Sequence, residues 1–441
     1  MKKSINLTLS LLFFSLSIFS CEQSIPENQL HYKISVILEP ESQTINAEVT
    51  LLNPPASRFY LNKNFKINEI SADNQTIAFL RDTSAAPLRW TPSLPIVIEK
   101  DSLRTFSVKY SGKIMEIING VNMISADLVE LALYSAWYPL FEEQPNFSYD
   151  LTLDLPSEMV STTNGKLLSQ VKKAGRTITK WQSFQPGMDL AVVASPKLHL
   201  VSGKTDKIAV EMFYHTLSAD SLQAKIDNLC AGMEQLTQYY GEPQISGMLR
   251  FAYSPRGGWG YSRIPLFIVS EDYTKYVLTQ EFGNAQDFHG GAHEMSHFWW
   301  LIADVNTPDD WINEGLAEFS AFRLSSQKFG KPFADHQLKV YSKHISESKT
   351  DTPIAETTGG SPDRYVNRYE KTTIMFLEAQ QKFGENNLDR VLKALHKQYA
   401  GTRALTTAIF LDKIENELGE EALAFFRNKL YEKGQKTDQQ N

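Results

Sequence analysis

Cysteine is scarce in this sequence: the 441 residues contain only Cys21 and Cys230. Two cysteines cannot build the framework of several disulfides that stabilises small secreted domains. The fold must therefore depend on the packing of an apolar core, for which a hydrophobic fraction of 42% is sufficient. Cys230 lies in an amphipathic helical run, and we expect it to be buried as a small hydrophobic residue.

An excess of positive charge is also missing. The chain has 44 Lys and Arg residues against 51 Asp and Glu residues, which gives a formal net charge of −7 at pH 7. Loss of residues 1–20 would change this charge to −9, because that segment contains two lysines and no acidic residue. A surface this acidic repels phosphate backbones, so we expect no nucleic-acid partner.

The long apolar run of the chain lies at its amino terminus. There "MKKSINLTLSLLFFSLSIFS" places Lys2 and Lys3 before an apolar stretch of about fifteen residues, the architecture of a secretory signal peptide over residues 1–20. Cys21 follows in a context that resembles a bacterial lipobox, and the alternative is an ordinary signal peptide with an incidental cysteine. We expect an exported lipoprotein in the periplasm or at the cell surface, anchored in a membrane through Cys21 and tethered by residues 21–30.

A change of pattern along the chain predicts two domains. Residues 31–205 contain short alternating runs rich in β-branched and aromatic residues, separated by Pro, Asn, Asp and Gly, which is typical of a β-sandwich. From about residue 216, apolar residues recur at helical spacing, first in a run that opens at Ser218, a residue suited to capping a helix, and ends at Gly241. We expect an α-rich second domain with a small sheet over residues 206–441.

The pentapeptide "HEMSH" carries the first chemical signal. Positions i and i+4 share one face of a helix, so His293 and His297 can direct both imidazoles at one metal ion. Glu294 lies beside them, where it can accept a proton from a metal-bound water. The alternative is a buried helix that holds two imidazoles for structural reasons, and a third ligand would decide between the two.

The segment "DDWINEGLAEFSAFR" supplies a candidate for that third ligand. It is typical of a second helix, with Glu314 and Glu318 one turn apart. Two imidazoles and the Glu314 carboxylate would leave the fourth position of a tetrahedral zinc site open to water, as in catalytic zinc sites. A solvated helix face is the alternative for Glu314. We expect one Zn²⁺ per chain, held by the two histidines and Glu314.

The two motifs together resemble the signature of the gluzincin metallopeptidases, the family of aminopeptidase N and leukotriene hydrolase. The family combines H-E-x-x-H with N-E-G-x-A, which here reads Asn313-Glu314-Gly315-Leu316-Ala317. Residues 298–313 separate the second histidine from Glu314, a shorter spacing than is usual in the family. The likeness extends over roughly residues 31–400, and it implies an N-terminal β-sandwich followed by an α-rich, thermolysin-like catalytic domain.

The resemblance also implies roles for individual residues. It makes Glu294 the general base, and it makes Tyr369, in "RYEKTTIMFLEAQ", the donor of a hydrogen bond to the oxyanion. The alternative for Tyr369 is an ordinary core tyrosine. Asn313 and Glu318 are candidates for supporting the metal ligands from behind, with helix capping or solvation as their alternative.

The sequence departs from the family where substrate would bind. Aminopeptidases of this family carry a Gly-x-Met-Glu-Asn stretch whose Glu binds the free α-amine of the peptide, whereas the equivalent stretch here, "SPRGGWGYSR" at residues 254–263, contains no acidic residue. Its small residues still permit close approach of a substrate backbone to an edge strand. We therefore expect substrate contacts from this segment, at Gly257, Gly258, Trp259 and Gly260.

Charged residues near this segment bear on the recognition of an amine. An ammonium group would meet Arg256 and Arg263 instead of a carboxylate. Glu130, in "DLVEL", is a possible substitute for the missing acid, since family members contribute a second amine-binding residue from the sandwich domain. An exposed strand or loop acid is an equally good interpretation of Glu130.

These observations predict zinc-dependent hydrolysis of peptide bonds, aminopeptidase-like and outside the cytoplasm. Two alternatives stay open. One is an endopeptidase, oligopeptidase or other gluzincin hydrolase that does not select a free N-terminus, because zinc chemistry and amine selection depend on different residues. The other is a zinc-binding surface lipoprotein without catalytic activity. The sequence predicts no oligomeric state.

Overall fold

The computed structural model describes residues 26, 28–100, 103–114, 123–245, 247–258, 260–348 and 352–433. The predicted signal peptide and Cys21 lie outside these residues, so export and lipidation stay predictions. Within the described part of the chain, no helix combines the length and the apolar character that crossing a bilayer requires.

Several strands of the amino-terminal domain have one buried face and one face that is more exposed. In the first strand Ile34, Val36 and Leu38 are buried while Ser35 and Ile37 between them are exposed, because successive side chains of a strand point to opposite faces of its sheet. The strands are β1 His31–Glu39, β2 Thr44–Leu52, β3 Arg58–Asn62, β4 Phe65–Ala72, β5 Gln75–Thr76, β6 Phe79–Arg81, β7 Ser93–Ile98, β8 Thr105–Lys113, β9 Met123–Ile124, β10 Val129–Leu131, β11 Ser148–Pro156, β12 Val160–Thr163, β13 Gly165–Lys173, β14 Arg176–Ser183 and β15 Val192–Ser195.

These strands form one large and two small sheets around a shared core. The large sheet has the order β13-β14-β11-β1-β2-β8-β4-β5, and the small sheets have the orders β3-β7-β6 and β12-β15-β10-β9. One apolar cluster contains Val49 of the large sheet together with Ile96 and Val192 of the small ones. Burial of all three inner faces in one core is what makes a sandwich stable.

The second domain is α-rich and contains one five-stranded sheet of order β16-β17-β18-β20-β19. Its strands are β16 His199–Lys204, β17 Ile208–Tyr214, β18 Gly247–Ser254, β19 Tyr261–Arg263 and β20 Leu266–Ser270. Its helices are α1 Ala219–Tyr240, α2 Glu271–Leu278, α3 Gly283–Ser296, α4 Trp311–Glu347, α5 Thr372–Phe383, α6 Glu385–Tyr399, α7 Thr407–Leu418 and α8 Glu420–Tyr431, with a π-helical turn at Val366–Lys371 before α5. Strand β16 pairs with β17, so this sheet starts shortly before the domain boundary predicted at residue 206.

The five-stranded sheet is the middle layer of the molecule. From β18, Phe251 and Tyr253 pack into the core formed with the helices, whereas Ala252 packs with Leu128 and Val193 of the sandwich domain. Both faces of β18 are therefore buried, which explains why its sequence is almost continuously apolar. The predicted fold class, a β-sandwich followed by an α-rich domain with a small sheet, is confirmed.

Helix boundaries agree with the local sequence signals in part. Helix α1 is capped by Ser218, whose hydroxyl accepts a hydrogen bond from the Ser221 amide, and it ends at Gly241 as predicted. Cys230 on this helix packs against the core but is only partly buried, whereas we expected a fully buried residue. Helix α4 is interrupted at Gly330, whose φ of 79° is open to glycine at little cost.

A buried carboxylate joins two connections of the second domain. Glu271, at the first position of α2, accepts hydrogen bonds from the His215 amide (3.1 Å) and from the amide and hydroxyl of Thr216 (2.7 and 2.5 Å). Burial opposes ionisation of Glu271, but these hydrogen bonds outweigh it and lower the pKa of the carboxyl group to about 2. The ionised carboxylate thus holds the start of α1 next to the start of α2.

Replacing this carboxylate should destabilise the fold. We expect Glu271→Gln to lower the free energy of unfolding at pH 7 by about 3 kcal/mol, because buried hydrogen-bond donors lose a charged partner. The lowered pKa makes the ionised form stabilising above pH 4.5, and this contribution is lost as the pH falls towards 2. Urea denaturation should therefore show a smaller difference at pH 3 than at pH 7. The exposed Glu281→Gln is the control, and equal stability of Glu271→Gln and wild type at pH 7 would refute the assignment.

Candidate metal centre and active site

Two imidazoles and one carboxylate converge at the contact between α3 and α4. The Nε2 atoms of His293 and His297 lie 3.4 and 3.5 Å from Oε2 of Glu314, and the two imidazole rings are 5.0 Å apart. His293 lies in the last turn of α3, and His297 caps the end of this helix in a helical conformation, so both side chains share one face, while Glu314 lies in the first turn of α4. Among the described residues, these three form a group of side chains whose ligand atoms lie within 4.8 Å of one another.

Hydrogen bonds behind the imidazoles leave the Nε2 atoms free to bind a metal. Nδ1 of His293 donates to Oε2 of Glu318 (2.7 Å), and Nδ1 of His297 donates to the carbonyl oxygen of Trp300 (3.1 Å). With the proton on Nδ1 in both rings, the lone pair of each Nε2 is directed towards Glu314. Two neutral imidazoles and one carboxylate are a donor set that fits Zn²⁺, with a further position available for water.

The charges of the cluster also favour a cation. Burial disfavours protonation of His293, but hydrogen bonds with Glu314 and Glu318 outweigh it and raise its pKa well above 6.5. Burial likewise opposes ionisation of Glu314, yet the charge of His297 lowers the pKa of this carboxyl group far below its usual range. A site that attracts protons this strongly without a metal is one in which a divalent cation can replace them.

Asn313 forms hydrogen bonds with backbone groups and with Asp310 next to the site. Its Oδ1 accepts from the amides of Ile302 and Ala303 (2.9 and 3.0 Å), and its Nδ2 donates to the Ala303 carbonyl and to Asp310. These bonds hold the connection between α3 and α4 against the start of α4. They therefore fix the position of Glu314 along the axis of α3.

The π-helical turn brings Tyr369 to the histidines. The Tyr369 ring stacks on His293, with ring centroids 5.2 Å apart and an interplanar angle of 11°. A Cβ atom on Gly315 would overlap Thr372 and would lie 2.9 Å from the Arg368 carbonyl oxygen, so a glycine beside Glu314 allows this close approach. Burial and the Glu314 carboxylate raise the pKa of Tyr369 well above 10, which keeps its hydroxyl protonated as a donor.

Glu294 faces an open cleft next to these groups. The cleft has a volume of about 500 Å³ and runs between α3, strand β20 and the distal part of α4. Burial raises the pKa of Glu294 above 4.5, with the two histidines opposing the shift. Gly260 and Tyr261, at the start of the edge strand β19, line the same cleft. The candidate base and the candidate substrate strand therefore share one cavity.

The glycine-rich segment needs glycine at two of its positions. Gly258 has a φ of 86°, and a Cβ atom on Gly260 would lie 2.8 Å from the carbonyl oxygen of Ile268. Gly257 has open space where a side chain would be, and Trp259 lies outside the described residues. Of the predicted contacts in this segment, Gly260 borders the cleft, and those of Gly257, Gly258 and Trp259 stay predictions.

The charges near this segment differ from the expectation. Oxygens of Glu130 accept from Nε of Arg256 (2.9 and 3.0 Å) and from the hydroxyl of Ser254, and Glu130 is only 1% exposed. Arg263 pairs in the same way with the buried Asp189 of the sandwich domain. The expectation that an ammonium group would meet both arginines is therefore wrong, because each guanidinium is paired with a carboxylate. The interpretation of Glu130 as an exposed acid is also wrong.

Two residues of the site were missed by sequence reasoning. His289 lies one turn before His293, and its Nε2 donates to Oε1 of Glu318 (2.9 Å). The regular spacing of His289, His293 and His297 was a signal that could have identified it. Tyr341, whose hydroxyl also donates to Glu318, gave no local signal, because it lies in α4 beyond the interruption at Gly330.

Two comparisons of the sequence found no match. No protein-family model matches the sequence, and no curated protein matches it significantly.

Comparisons of structure do find relatives, at low sequence identity. A two-domain M1 zinc metallopeptidase mutant bound to L-arginine aligns with a TM-score of 0.68 and 16% identity, over 92% of this chain and 95% of that one. A mutant of the M1 zinc metallopeptidase from Deinococcus radiodurans bound to a Tyr-Ser-Ala substrate gives 0.66 and 15%, over 91% and 94%. Yeast LTA4 hydrolase in complex with bestatin gives 0.64 and 14%, over 93% of this chain and 69% of that one. This chain therefore has the fold of the M1 zinc metallopeptidases.

Proposed function

We propose that this protein is a zinc-dependent hydrolase of peptide bonds. The observation that carries the proposal is the convergence of His293 Nε2, His297 Nε2 and Glu314 Oε2 beside Glu294 and Tyr369. A purely structural metal site has no need for a carboxylate facing a cleft or for a protonated phenol beside the ligands. The structural neighbours bound to a tripeptide or to an amino acid support peptides as the substrate class.

In this proposal, His293, His297 and Glu314 hold the zinc ion. Zinc bound there would supply a Lewis acid and a water molecule made more acidic by coordination. Glu294 receives the proton of the attacking water on a carboxylate oxygen and delivers it to the nitrogen of the leaving amine. The hydroxyl of Tyr369 donates to the carbonyl oxygen of the substrate as negative charge develops there. The stacked contact with His293 keeps the phenol in place for this donation.

Removing the base should abolish catalysis without emptying the metal site. We expect Glu294→Gln to lower kcat by about 10³-fold, because no other group takes the proton, and Tyr369→Phe to lower it by about 10²-fold. Both variants should keep one zinc per chain by elemental analysis. The exposed Glu158→Gln is the control, and undiminished hydrolysis by Glu294→Gln would refute the assignment.

A second candidate function, hydrolysis without selection of a free N-terminus, has a specific observation in its favour. Of the acidic side chains that line the cleft, Glu294 is the proposed base and Asp287 is paired with Lys225 at 2.7 Å. Glu130 forms a buried ion pair with Arg256, as described above. No carboxylate of the described cleft lining is therefore left to bind an α-ammonium group, which would lose its water without gaining an ionic partner.

Peptides with blocked and free N-termini distinguish the two modes of action. We expect kcat/KM for an N-acetylated peptide to lie within about threefold of that for the free peptide, because amine binding contributes no selectivity. Mass-spectrometric mapping of products should locate the same scissile bond in both. A preference of 100-fold or more for the free peptide, abolished by Glu130→Gln, would instead assign amine recognition to Glu130 and establish an aminopeptidase.

The floor of the cleft offers a test of where substrate lies. Gly290 is exposed, has open space around its missing side chain and precedes Glu294 by one helical turn. We expect Gly290→Leu to fill this space and to lower kcat/KM for peptides by about tenfold or more, chiefly through KM. Gly290→Ala, which removes backbone freedom but adds little volume, is the matched control and should stay near wild type. Unchanged kinetics of the leucine variant would place the substrate elsewhere.

A further inference from the structure

A buried cluster around Glu318 lies directly behind the candidate metal ligands. Oε2 of Glu318 accepts from Nδ1 of His293 (2.7 Å), while Oε1 accepts from Nε2 of His289 (2.9 Å) and from the hydroxyl of Tyr341. All four side chains are buried. The carboxylate therefore uses one oxygen for the metal ligand and the other for two donors that have no ligand function.

The two donors hold Glu318 from opposite parts of the fold. His289 lies on α3, one turn before His293, and Tyr341 comes from the part of α4 that follows the interruption at Gly330. His289 is itself fixed: its Nε2 must carry a proton to donate to Glu318, and its Nδ1 then accepts from the hydroxyl of Ser325 (3.3 Å). The chain of bonds from Ser325 through His289 to Glu318 leaves one arrangement of donors and acceptors.

A carboxylate bound at a single oxygen can rotate about its last bond, whereas one bound at both oxygens cannot. The direction of His293 depends on that rotation, because its Nδ1 bond to Glu318 sets the plane of the ring. The same plane sets the direction of Nε2, 3.4 Å from Oε2 of Glu314. An error in the orientation of Glu318 would thus be transmitted to the metal-binding atom of His293.

We propose that His289 and Tyr341 are positioning residues that lock Glu318 and so aim His293 at the zinc ion. This inference rests on the proposed function, since it concerns the affinity of the same metal site. His289 also lines the cleft, so its effect on zinc affinity, rather than its effect on turnover, distinguishes a positioning role. His289 acts through Glu318. Replacing His289 should therefore weaken zinc affinity directly and lower turnover only as a consequence of the weaker zinc binding.

The test measures zinc affinity by competition with a chromogenic chelator, starting from metal-free full-length protein. We expect His289→Leu, which removes the donor but keeps a buried apolar side chain, to weaken zinc binding by about 10- to 100-fold. His289→Gln should restore most of the affinity, because its amide nitrogen can donate to Glu318. The cobalt-substituted leucine variant should also show a shifted visible absorption spectrum, which reports on ligand geometry.

The control is His31→Leu, which removes a buried and hydrogen-bonded histidine of the sandwich domain. It should leave zinc affinity and the cobalt spectrum unchanged. If His289→Leu does not fold, Tyr341→Phe and His289→Gln carry the test: the phenylalanine variant should bind zinc less tightly than the glutamine variant. The inference is overturned if His289→Leu folds and keeps both the zinc affinity and the cobalt spectrum of the wild type. If His289→Leu does not fold, the inference is overturned when Tyr341→Phe binds zinc as tightly as the wild type. Failure of wild-type protein to bind zinc would instead overturn the proposed function.

Discussion

The contact between helices α3 and α4 is the constraint on which the rest of the site depends. It brings Glu314 to within 3.5 Å of the Nε2 atoms of His293 and His297, and these three side chains are the candidate ligand group among the described residues. Asn313 accepts a hydrogen bond from the backbone that connects the two helices, which fixes where α4 begins relative to α3. Glu318 accepts a hydrogen bond from His293, which fixes the rotation of that imidazole ring. The candidate metal site therefore depends on the packing of two neighbouring helices of the second domain.

The sandwich domain supports one wall of the cleft through ion pairs between described residues. Its buried carboxylates Glu130 and Asp189 pair with Arg256 and Arg263, one on each side of the glycine-rich turn that leads into the edge strand β19. Two buried ion pairs that cross between the domains hold this strand where it lines the cleft. Such pairs are costly to break, so they fix geometry even where they add little to net stability. Glu130, the acid considered for amine binding, is thus paired with Arg256 across the contact between the domains.

Much of this architecture could be predicted from sequence, for identifiable reasons. Helical spacing places His293 and His297 on one face whatever the tertiary structure, and the capping signal at Ser218 is equally local. The environment of Glu130 could not be predicted, because its partner Arg256 lies 126 residues away and the two meet only when the domains pack. Tyr341 was missed for the same reason, since the interruption of α4 at Gly330 turns its hydroxyl back towards Glu318. Local pattern identified the candidate ligands, and tertiary packing determined which residues surround them.

The central claim is that these three side chains hold a catalytic zinc ion. Anomalous X-ray diffraction at the zinc absorption edge, from crystals of the zinc-loaded protein, tests it most directly. The account predicts a single strong peak within about 2.3 Å of the Nε2 atoms of His293 and His297 and of a carboxylate oxygen of Glu314, facing Glu294. A chain that takes up no zinc at this position, or that binds zinc at other side chains, would contradict it.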